Sequence, residues 1–242
     1  MDLNADIGEG GQYDQALIAL VSSANIACGG HAGDEFSIRT AIDSCLASGV
    51  AIGAHPGYED PEHFGRRVLD LSPAAVADSV ARQVSSMVEM TSRAGAVLHH
   101  VKPHGALYLQ ADRGASLAAA VVEGVVRIIP GCGFYVPPMG QLALAGANAG
   151  LNVRPEGFMD RRYAENGELV SRSIPGAVID DVDAAVSQAL EIALNQRVLT
   201  AVGAYVAMPV ETLCVHGDSS HALEILRAVR HALTAEGFTI EA

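Results

Sequence analysis

Four short apolar segments of this sequence each lead into a histidine closely followed by a glycine, and this repeated ending constrains the fold more than any other feature. The endings are His31-Ala32-Gly33, His55-Pro56-Gly57, Lys102-Pro103-His104-Gly105 and His216-Gly217-Asp218. Short apolar runs are typical of buried strands, and a glycine allows the chain to turn sharply after each of them. Because parallel strands bring their carboxyl ends to one rim of a sheet or barrel, we expect the four histidines to lie together.

Helical segments separate these apolar runs. Asp34 is a suitable N-cap for a helix that extends to Gly49, and Ser72-Pro73 opens a second helix. Alternating strands and helices predict parallel pairing with right-handed crossovers, in one α/β domain over residues 1–242. Strands are predicted at 2–7, 24–28, 50–54, 97–101, 134–136, 151–156 and 213–215, with a small β-hairpin at 198–210 and further helices at 15–23, 114–129, 141–149, 180–195 and 219–235.

Composition and charge exclude several classes of protein. Half of the 242 residues are hydrophobic and 18% are charged, as in ordinary globular chains. The net charge of −13 argues against a nucleic acid or an anionic membrane as partner, because either would be repelled. Scattered cysteines, no apolar run long enough to span a bilayer, and a start without a leader pattern favour a cytoplasmic protein.

The first strand predicts which side chains line the interior of a barrel. Asn4 and Asp6 alternate with apolar residues and therefore share one face of the strand. Lys102 and His104 share a face by the same count. Taken singly, each histidine could equally cap a strand and satisfy backbone groups. If these faces turn inward, however, the barrel mouth collects Asp6, His31, His55, Lys102, His104 and His216.

Two loops add charged side chains to this mouth. Glu9 lies in a glycine-rich turn whose spacing matches neither of the common phosphate-binding patterns. The long irregular stretch 157–180 carries Arg161 and Arg172, and loops of this length are usually functional in a compact domain. We interpret it as a lid or binding loop that receives an anion.

A metal site is a second interpretation of the same residues. One aspartate with two or three histidines is the donor set of many hydrolytic zinc sites. The sequence contains no HxxxH or HxxEH helix, so each ligand would come from a separate strand. Spacing therefore leaves the presence of a metal open.

Motifs along nearly the whole chain, in one order, resemble a known protein family, the LamB/YcsF family of 5-oxoprolinase A subunits. The motifs are 2–9 (DLNADIGE), 25–29 (NIACG), 31–34 (HAGD), 53–58 (GAHPGY), 64–67 (FGRR), 100–108 (HVKPHGALY), Asp160-Arg161 with Tyr163, Leu169-Val170 with Arg172, 175–179 (PGAVI) and 214–218 (CVHGD). Gly30, Glu35, Glu59 and Leu109 depart from the residues usual in that family, and Gly30 and Leu109 are the departures that could reshape a pocket.

The resemblance implies an irregular, about seven-stranded β/α barrel akin to the glycoside hydrolase and deacetylase superfamily. It also implies a part in the ATP-dependent opening of 5-oxoproline to L-glutamate, together with B and C subunits and with ATP as co-substrate of the complex. A metal-dependent deacetylase or carbohydrate-active hydrolase on the same barrel, and a subunit that only binds ligand, remain the alternatives.

Opening a lactam needs a base, a cation for developing negative charge and an acid for the leaving nitrogen. We assign the base to Asp6, the anionic oxygen to Lys102 and proton transfer to His55 and His104. The expected binding residues are Asn4, Glu9, His31, Arg161, Arg172 and His216. Alanine at Asp6, Lys102 or His104 is expected to abolish turnover and to leave thermal melting nearly unchanged.

Overall fold

The computed structural model describes residues 1–217 and 220–242. Within these residues the strands are β1 (Asp2–Ile7), β2 (Ser23–Ala27), β3 (Ala51–His55), β4 (His100–Val101), β5 (Gly133–Val136), β6 (Asn152–Phe158), β7 (Arg197–Leu199), β8 (Tyr205–Ala207) and β9 (Thr212–Val215). The helices are α1 (Asp14–Ile18), α2 (Glu35–Ser48), α3 (Pro73–Arg93), α4 (Gly105–Arg113), α5 (Ala115–Val126), α6 (Gln141–Asn148), α7 (Val182–Asn195) and α8 (Ala222–Ala235), with a 3₁₀ turn at Pro61–His63.

Seven parallel strands close into a barrel in the order β1-β2-β3-β4-β5-β6-β9. The remaining two strands, β7 and β8, pair antiparallel as a separate hairpin. The predicted β/α barrel and its added hairpin are therefore confirmed. Because every barrel strand runs in the same direction, the loops that follow the strands share one end of the barrel.

The alternation in β1 separates a polar interior from an apolar shell. Leu3, Ala5 and Ile7 are fully buried in the hydrophobic core. Asp2 and Asn4 instead meet polar side chains of neighbouring strands inside the barrel, for example at Thr212. The face predicted to turn inward does so.

Capping residues define the starts of the helices α2 and α3. The Asp34 side chain accepts a hydrogen bond from Ser37 N at the start of α2, which ends at the left-handed Gly49. Ser72 accepts from Ala75 N, and Pro73 occupies the first turn of α3. Both predicted helix starts are confirmed.

Three local predictions were wrong. The run 97–101 contributes only His100–Val101 to the barrel, and Val97 is 84% exposed. The first helix ends at Ile18, because the chain must turn to bring Ser23 into register with Asn4. The helix that begins at Gly105 was not predicted; it follows the barrel strand without a side-chain cap. Asp218 and Ser219, placed at the last strand end and helix start, lie outside the described residues.

Candidate active site

Strand ends bring the predicted side chains to one mouth of the barrel. Asp6 lies near the end of β1, His55 ends β3, and Lys102 and His104 follow β4. His216 follows β9 directly. A cavity of about 360 Å³ opens at this mouth, and its lining includes Asp6, His55, Lys102, His104, Arg161, Arg172 and His216.

Asp6 and Lys102 form a buried ion pair at this cavity. Lys102 Nζ lies 3.0 Å from Asp6 Oδ1, 2.9 Å from Glu156 Oε1 and 3.0 Å from Cys214 Sγ. Burial alone would raise the pKa of Asp6, but the charges of His55 and Lys102 outweigh it and hold that pKa well below its usual value. Burial alone would lower the pKa of Lys102, and Asp6 with its other neighbours raises it well above its usual value. Both groups are ionised at neutral pH.

The two carboxylate oxygens of Asp6 have different surroundings. Oδ1 accepts hydrogen bonds from Asn25 Nδ2 at 2.9 Å and from Lys102 Nζ at 3.0 Å. Oδ2 instead faces His55 Nε2 at 3.4 Å. Asn25 is held in turn by His100, whose Nε2 donates to Asn25 Oδ1 at 2.8 Å. Oδ2 is therefore the oxygen available to accept a proton.

A polar layer below Lys102 supports this pair. Asn4 Nδ2 donates to Glu156 Oε1 at 2.9 Å and to Thr212 Oγ1 at 2.7 Å. The Tyr108 hydroxyl donates to Glu156 Oε2 at 3.0 Å. Asn4 is fully buried and is not part of the cavity lining. Asn4, a predicted binding residue, therefore lies below the cavity, where it hydrogen-bonds Glu156 and Thr212.

Glu9 and three imidazoles form a compact group beside Asp6, named here the Glu9 cluster (Glu9, His31, His55 and His104). Glu9 Oε1 lies 2.9 Å from His31 Nε2, 3.1 Å from His104 Nδ1 and 3.7 Å from His55 Nε2. The rings of His31 and His104 stack with their centroids 3.7 Å apart. Four donor atoms, one from each residue, lie within 4.8 Å of one another, close enough to hold a metal ion.

Burial sets the charge of this cluster. It lowers the pKa of His31 to about 4 and also lowers that of His104, so both rings are neutral near pH 7. For His55, burial is outweighed mainly by the Asp6 charge, and its pKa is raised. Burial would raise the pKa of Glu9, but its close contacts with the rings of His104 and His31 lower it, so Glu9 is a carboxylate.

Two glycines allow the backbone to pack against the stacked imidazoles. Gly65 has φ +61°, and a Cβ there would lie 2.7 Å from His31 Cβ and 3.0 Å from His104 Cδ2. A Cβ on Gly57 would lie 2.8 Å from His31 Nδ1. Only glycine fits these two contacts without moving a ring, so the motifs 53–58 and 64–67 shape the cluster.

His216 and Asp160 form a second acid–histidine pair, of which His216 lines the cavity. His216 Nδ1 lies 2.9 Å from Asp160 Oδ2, and the backbone N–H of His216 donates to the same oxygen at 3.0 Å. The His216 ring stacks on Phe158 and is 16% exposed. Burial alone would raise the pKa of Asp160, but His216 outweighs it and the pKa is lowered. The carboxylate holds Nδ1, which leaves Nε2 of His216 for a ligand.

The long loop places cationic side chains at the rim. Arg161 and Arg172 both line the cavity. Arg161 is 4% exposed and donates from Nη2 to the Val170 carbonyl at 2.6 Å, while its buried Nε has no hydrogen-bond partner among the described residues. Burial lowers the pKa of Arg161 to about 10, so it stays charged. This wall is suited to an anionic group.

Sequence reasoning missed several side chains that complete the site. Glu156, Asn25 and Tyr108 support the Asp6–Lys102 pair, and Asp160 orients His216. Polar alternation was a usable signal for Glu156, because Arg154 and Glu156 lie two residues apart on β6. A second overlooked signal is that Lys102 is the only lysine among the 242 residues.

The two departures singled out in the sequence have different structural settings. Leu109 lines the cavity, where it can influence the shape of a ligand. Gly30 does not line it; a Cβ there would lie 2.6 Å from Gln83 Oε1. Gln83 occupies that space and bonds both the N–H and the carbonyl of Gly57, at 3.1 and 2.8 Å. Gly30 thus makes room for a side chain that fixes the loop after His55.

A neighbouring cavity of about 400 Å³ lies beyond the wall formed by Tyr108, Leu109 and Phe158. Asp112 and Glu156 are among the residues that line it. The Glu9 cluster and the His216–Asp160 pair lie outside its lining. The cavity at the barrel mouth is therefore the better candidate for chemistry.

A family model and a solved structure both match the whole chain. A model described as the LamB/YcsF family matches residues 1–242. The crystal structure of a lactam utilization protein from Thermus thermophilus is 41% identical, covers 100% of this chain and 99% of its own, and superposes with a TM-score of 0.92.

More distant structures share the barrel alone. A family 4 carbohydrate esterase from Streptomyces lividans, in complex with acetate, is 12% identical over 99% of this chain and 90% of its own, with a TM-score of 0.51. The catalytic domain of a peptidoglycan N-acetylglucosamine deacetylase from Eubacterium rectale is 10% identical, over 99% of this chain and 86% of its own, with a TM-score of 0.53. The expected likeness to deacetylase barrels is confirmed at the level of fold.

Proposed function

The chain belongs to the LamB/YcsF family, and from that membership we propose that it is the A subunit of an ATP-dependent 5-oxoprolinase, which hydrolyses 5-oxoproline to L-glutamate together with B and C subunits. The 41% identical relative is named a lactam utilization protein, which supports a lactam as substrate. A small cyclic amide suits a cavity of about 360 Å³.

The observation that carries this proposal is the buried Asp6–Lys102 pair at the floor of a mouth with arginines at its rim. Hydrolysis of a lactam needs a base to activate water; Asp6 is ionised and lines the cavity, and Oδ2 is its oxygen that is not bonded to Lys102. The product of ring opening gains a carboxylate, and the substrate already carries one. Arg161 and Arg172 are the groups positioned to hold these negative charges.

Lys102 receives a different role from the one expected from sequence. Its ammonium already lies within hydrogen-bond distance of Asp6, Glu156 and Cys214. An ammonium has three protons to donate, so none is left for a substrate oxygen in this arrangement. We therefore assign Lys102 to keeping Asp6 ionised and in place.

Proton delivery to the leaving nitrogen falls to the histidines. His216 is oriented by Asp160 and lines the cavity, so its Nε2 can donate a proton to the ring nitrogen as the C–N bond breaks. His55 and His104 stand on the other side of Asp6, with their facing nitrogens 2.9 Å apart, and can pass a proton between them. An amine is a poor leaving group unless it is protonated, so one of these donors is required.

Coupling to ATP has a chemical reason. Amide resonance makes the lactam carbonyl unreactive towards water, and transfer of a phosphoryl group from ATP to the lactam oxygen would remove that resonance. Water could then add to the ring carbon, and the protonated nitrogen would leave as the C–N bond breaks. The resulting acyl phosphate would release phosphate on attack by a second water. The sequence carries no P-loop, so the B and C subunits would contribute to nucleotide binding. In this division of labour the rim arginines would also receive the phosphate.

The proposal is tested by measuring glutamate released from 5-oxoproline, with and without ATP, by this chain alone and mixed with B and C subunits. We expect release only in the complete mixture. Asp6→Asn should lower turnover by about 10²–10⁴-fold, the usual contribution of a general base. The control His231→Ala changes an exposed histidine of α8 and should leave turnover unchanged. No glutamate from the wild-type mixture would refute the proposal.

Two alternatives predict other results in the same assay. A binding subunit would take up 5-oxoproline while the complex with Asp6→Asn keeps full turnover. A deacetylase, which the metal-capable Glu9 cluster would equally serve, would release acetate from N-acetylated sugars without ATP.

A further inference from the structure

We infer that the Glu9 cluster is a binding site for one divalent transition-metal ion of the zinc class. Its carboxylate oxygen and three imidazole nitrogens all lie within 4.8 Å of one another. Ligand atoms of tetrahedral zinc lie about 3.4 Å apart, given zinc–nitrogen bonds of about 2.0–2.1 Å. No pair of donor atoms would have to approach by more than about 1.4 Å to close the set around an ion. Imidazole with one carboxylate is a donor set that suits zinc and its neighbours.

Backbone carbonyls fix the direction of two nitrogen lone pairs in this cluster. His55 Nδ1 lies 2.7 Å from the Lys102 carbonyl, and His104 Nε2 lies 2.9 Å from the Phe64 carbonyl. A carbonyl can only accept, so those two ring nitrogens carry the protons. Where a ring carries no second proton, its other nitrogen, His55 Nε2 or His104 Nδ1, therefore presents a lone pair.

These two lone pairs point at each other and at the same carboxylate. His55 Nε2 and His104 Nδ1 are 2.9 Å apart, and Glu9 Oε1 lies 3.1 Å from the latter. Three electron-rich atoms this close repel unless a proton or a metal cation lies between them, and only a metal ion can bind all three at once. Histidines whose outer nitrogen donates to a carbonyl are the usual arrangement around a bound metal.

The charges around the cluster favour a cation. Asp6, Glu9 and Glu156 bring three carboxyl groups to this part of the barrel, and Lys102, paired with two of them, is the one ammonium. The carboxyl groups therefore outnumber the ammonium by two. A divalent ion would offset that excess, and buried charges are stable only when paired or bound to metal.

The cluster is also held in place before an ion arrives. His31 and His104 stack with an interplanar angle of 2°, and Gly57 and Gly65 pack directly against them. His31 Nδ1 is buried and has no hydrogen-bond partner among the described residues. Rings confined in this way lose little freedom on binding, which favours a tight site.

The ion site adds a component to the proposed function. Binding of the ion does not depend on that function, and only the catalytic role of the ion rests on it. When bound, such an ion supplies Lewis-acid polarisation of an amide carbonyl. It would engage the lone pairs of His55 and His104. Proton transfer in the loaded protein would then fall to Asp6, which lies beside the cluster, and to His216, which lines the cavity.

The test measures ion binding to the purified chain without substrate. Protein freed of metal by a chelator is titrated with Zn²⁺ by calorimetry and with Co²⁺ by visible absorption, which reports tetrahedral coordination. We expect saturation at one ion per chain. Glu9→Gln and His55→Gln keep the side-chain shape and should weaken binding by at least about 100-fold, since even outer contacts of a site cost up to that much. His231→Ala should bind as the wild type.

Circular dichroism of each variant separates lost binding from lost folding. A folded wild-type chain without a saturable Co²⁺ band overturns the metal site, as does equal affinity in folded Glu9→Gln. Binding of the ion without glutamate release by the full mixture would keep the metal site and refute the proposed function. Glutamate release by ion-free wild type in the presence of chelator would keep the proposed function and refute the catalytic role of the ion, while the titration decides the site itself.

Discussion

At Lys102 a single ammonium balances two buried carboxylates, so its replacement acts on stability as well as on turnover. Lys102→Met is expected to lower the free energy of unfolding by about 3–5 kcal/mol, because Asp6 and Glu156 are left buried without a counter-charge. This replaces the sequence-based expectation of unchanged melting. The measurement is urea denaturation. Arg39→Met, on the exposed side of α2, is the control and should stay within about 0.5 kcal/mol. An unchanged midpoint for Lys102→Met would show that the pair is not a stabilising contact.

Asp112 predicts a pH dependence of stability with a defined sign. Burial raises its pKa from 3.8 to about 6 in the folded protein. A carboxyl group with a raised folded pKa favours folding while protonated, and this advantage is lost as the pH rises from about 4 to about 6. Asp112→Asn removes that loss, so its melting temperature relative to wild type should be higher at pH 7.5 than at pH 4.5. The measurement is thermal melting of both proteins at the two pH values. A melting-temperature difference between Asp112→Asn and wild type that does not change with pH would contradict the shifted pKa.

Among the residues, sequence reasoning found those whose position follows from the alternation of side chains along a strand and from where each strand ends. Asp6, His55 and Lys102 lie where alternation and strand ends place them. The partners that set their chemistry could not be found in this way. Asn25 and Glu156 reach Asp6 and Lys102 from other strands, across distances of 19 and 54 residues in the chain, and only the barrel closure fixes those contacts.

At the scale of elements, the loop after β3 shapes the site through Gly65. Gly65→Ala places a Cβ 2.7 Å from His31 in a backbone with φ +61°. Gly203→Ala, in the turn between β7 and β8, has φ +83° and open space around its Cβ, so it has a similar backbone cost of about 1–2 kcal/mol without the clash. We expect Gly65→Ala to lower the free energy of unfolding by at least about 1 kcal/mol more than Gly203→Ala does. Gly65→Ala should also disturb the geometry of the Glu9 cluster. Denaturation midpoints and turnover of both variants provide the comparison, and equal losses would mean that the rings move aside freely.

The elements that the sequence predicted best are those with local signals. The starts of α2 and α3 follow from Asp34 and from Ser72-Pro73, which act within a few residues. The missed helix α4 begins directly at Gly105 with no side-chain cap, so the local sequence carries no signal for its start. The first helix was predicted too long, because the register of β2 against β1 is a tertiary constraint.

At the scale of the molecule, the barrel closes where β1 meets β9, and a buried hydroxyl bridges that seam. Thr212 Oγ1 donates to Asp2 Oδ2 at 2.6 Å and accepts from Asn4 Nδ2 at 2.7 Å. Thr212→Val keeps the shape, removes both bonds and should cost about 1–3 kcal/mol of unfolding free energy. Thr40→Val, at an exposed site of α2, is the matched control with a far smaller loss. Urea titration compares them. A cost for Thr212→Val no larger than that of the control would show that the seam does not depend on this hydroxyl.

The whole architecture was accessible from the sequence because the alternation of strand and helix leaves few topologies. Seven strands and one added hairpin follow from repeated patterns and from the family likeness. The separation of the mouth into the Glu9 cluster and the His216–Asp160 pair did not follow, because it depends on which loops fold back over the rim. Among the described residues, no helix is both long and apolar enough to cross a lipid bilayer.

The sole lysine of this chain is 2% exposed inside the barrel mouth, and this gives the protein a built-in reporter. Apart from the amino terminus, no other primary amine is present. An amine-reactive label should therefore attach to Lys102 only when the barrel opens, and the labelling rate, read by mass spectrometry, counts opening events directly. A ligand or subunit that seals the mouth should slow that rate, whichever chemistry it takes part in.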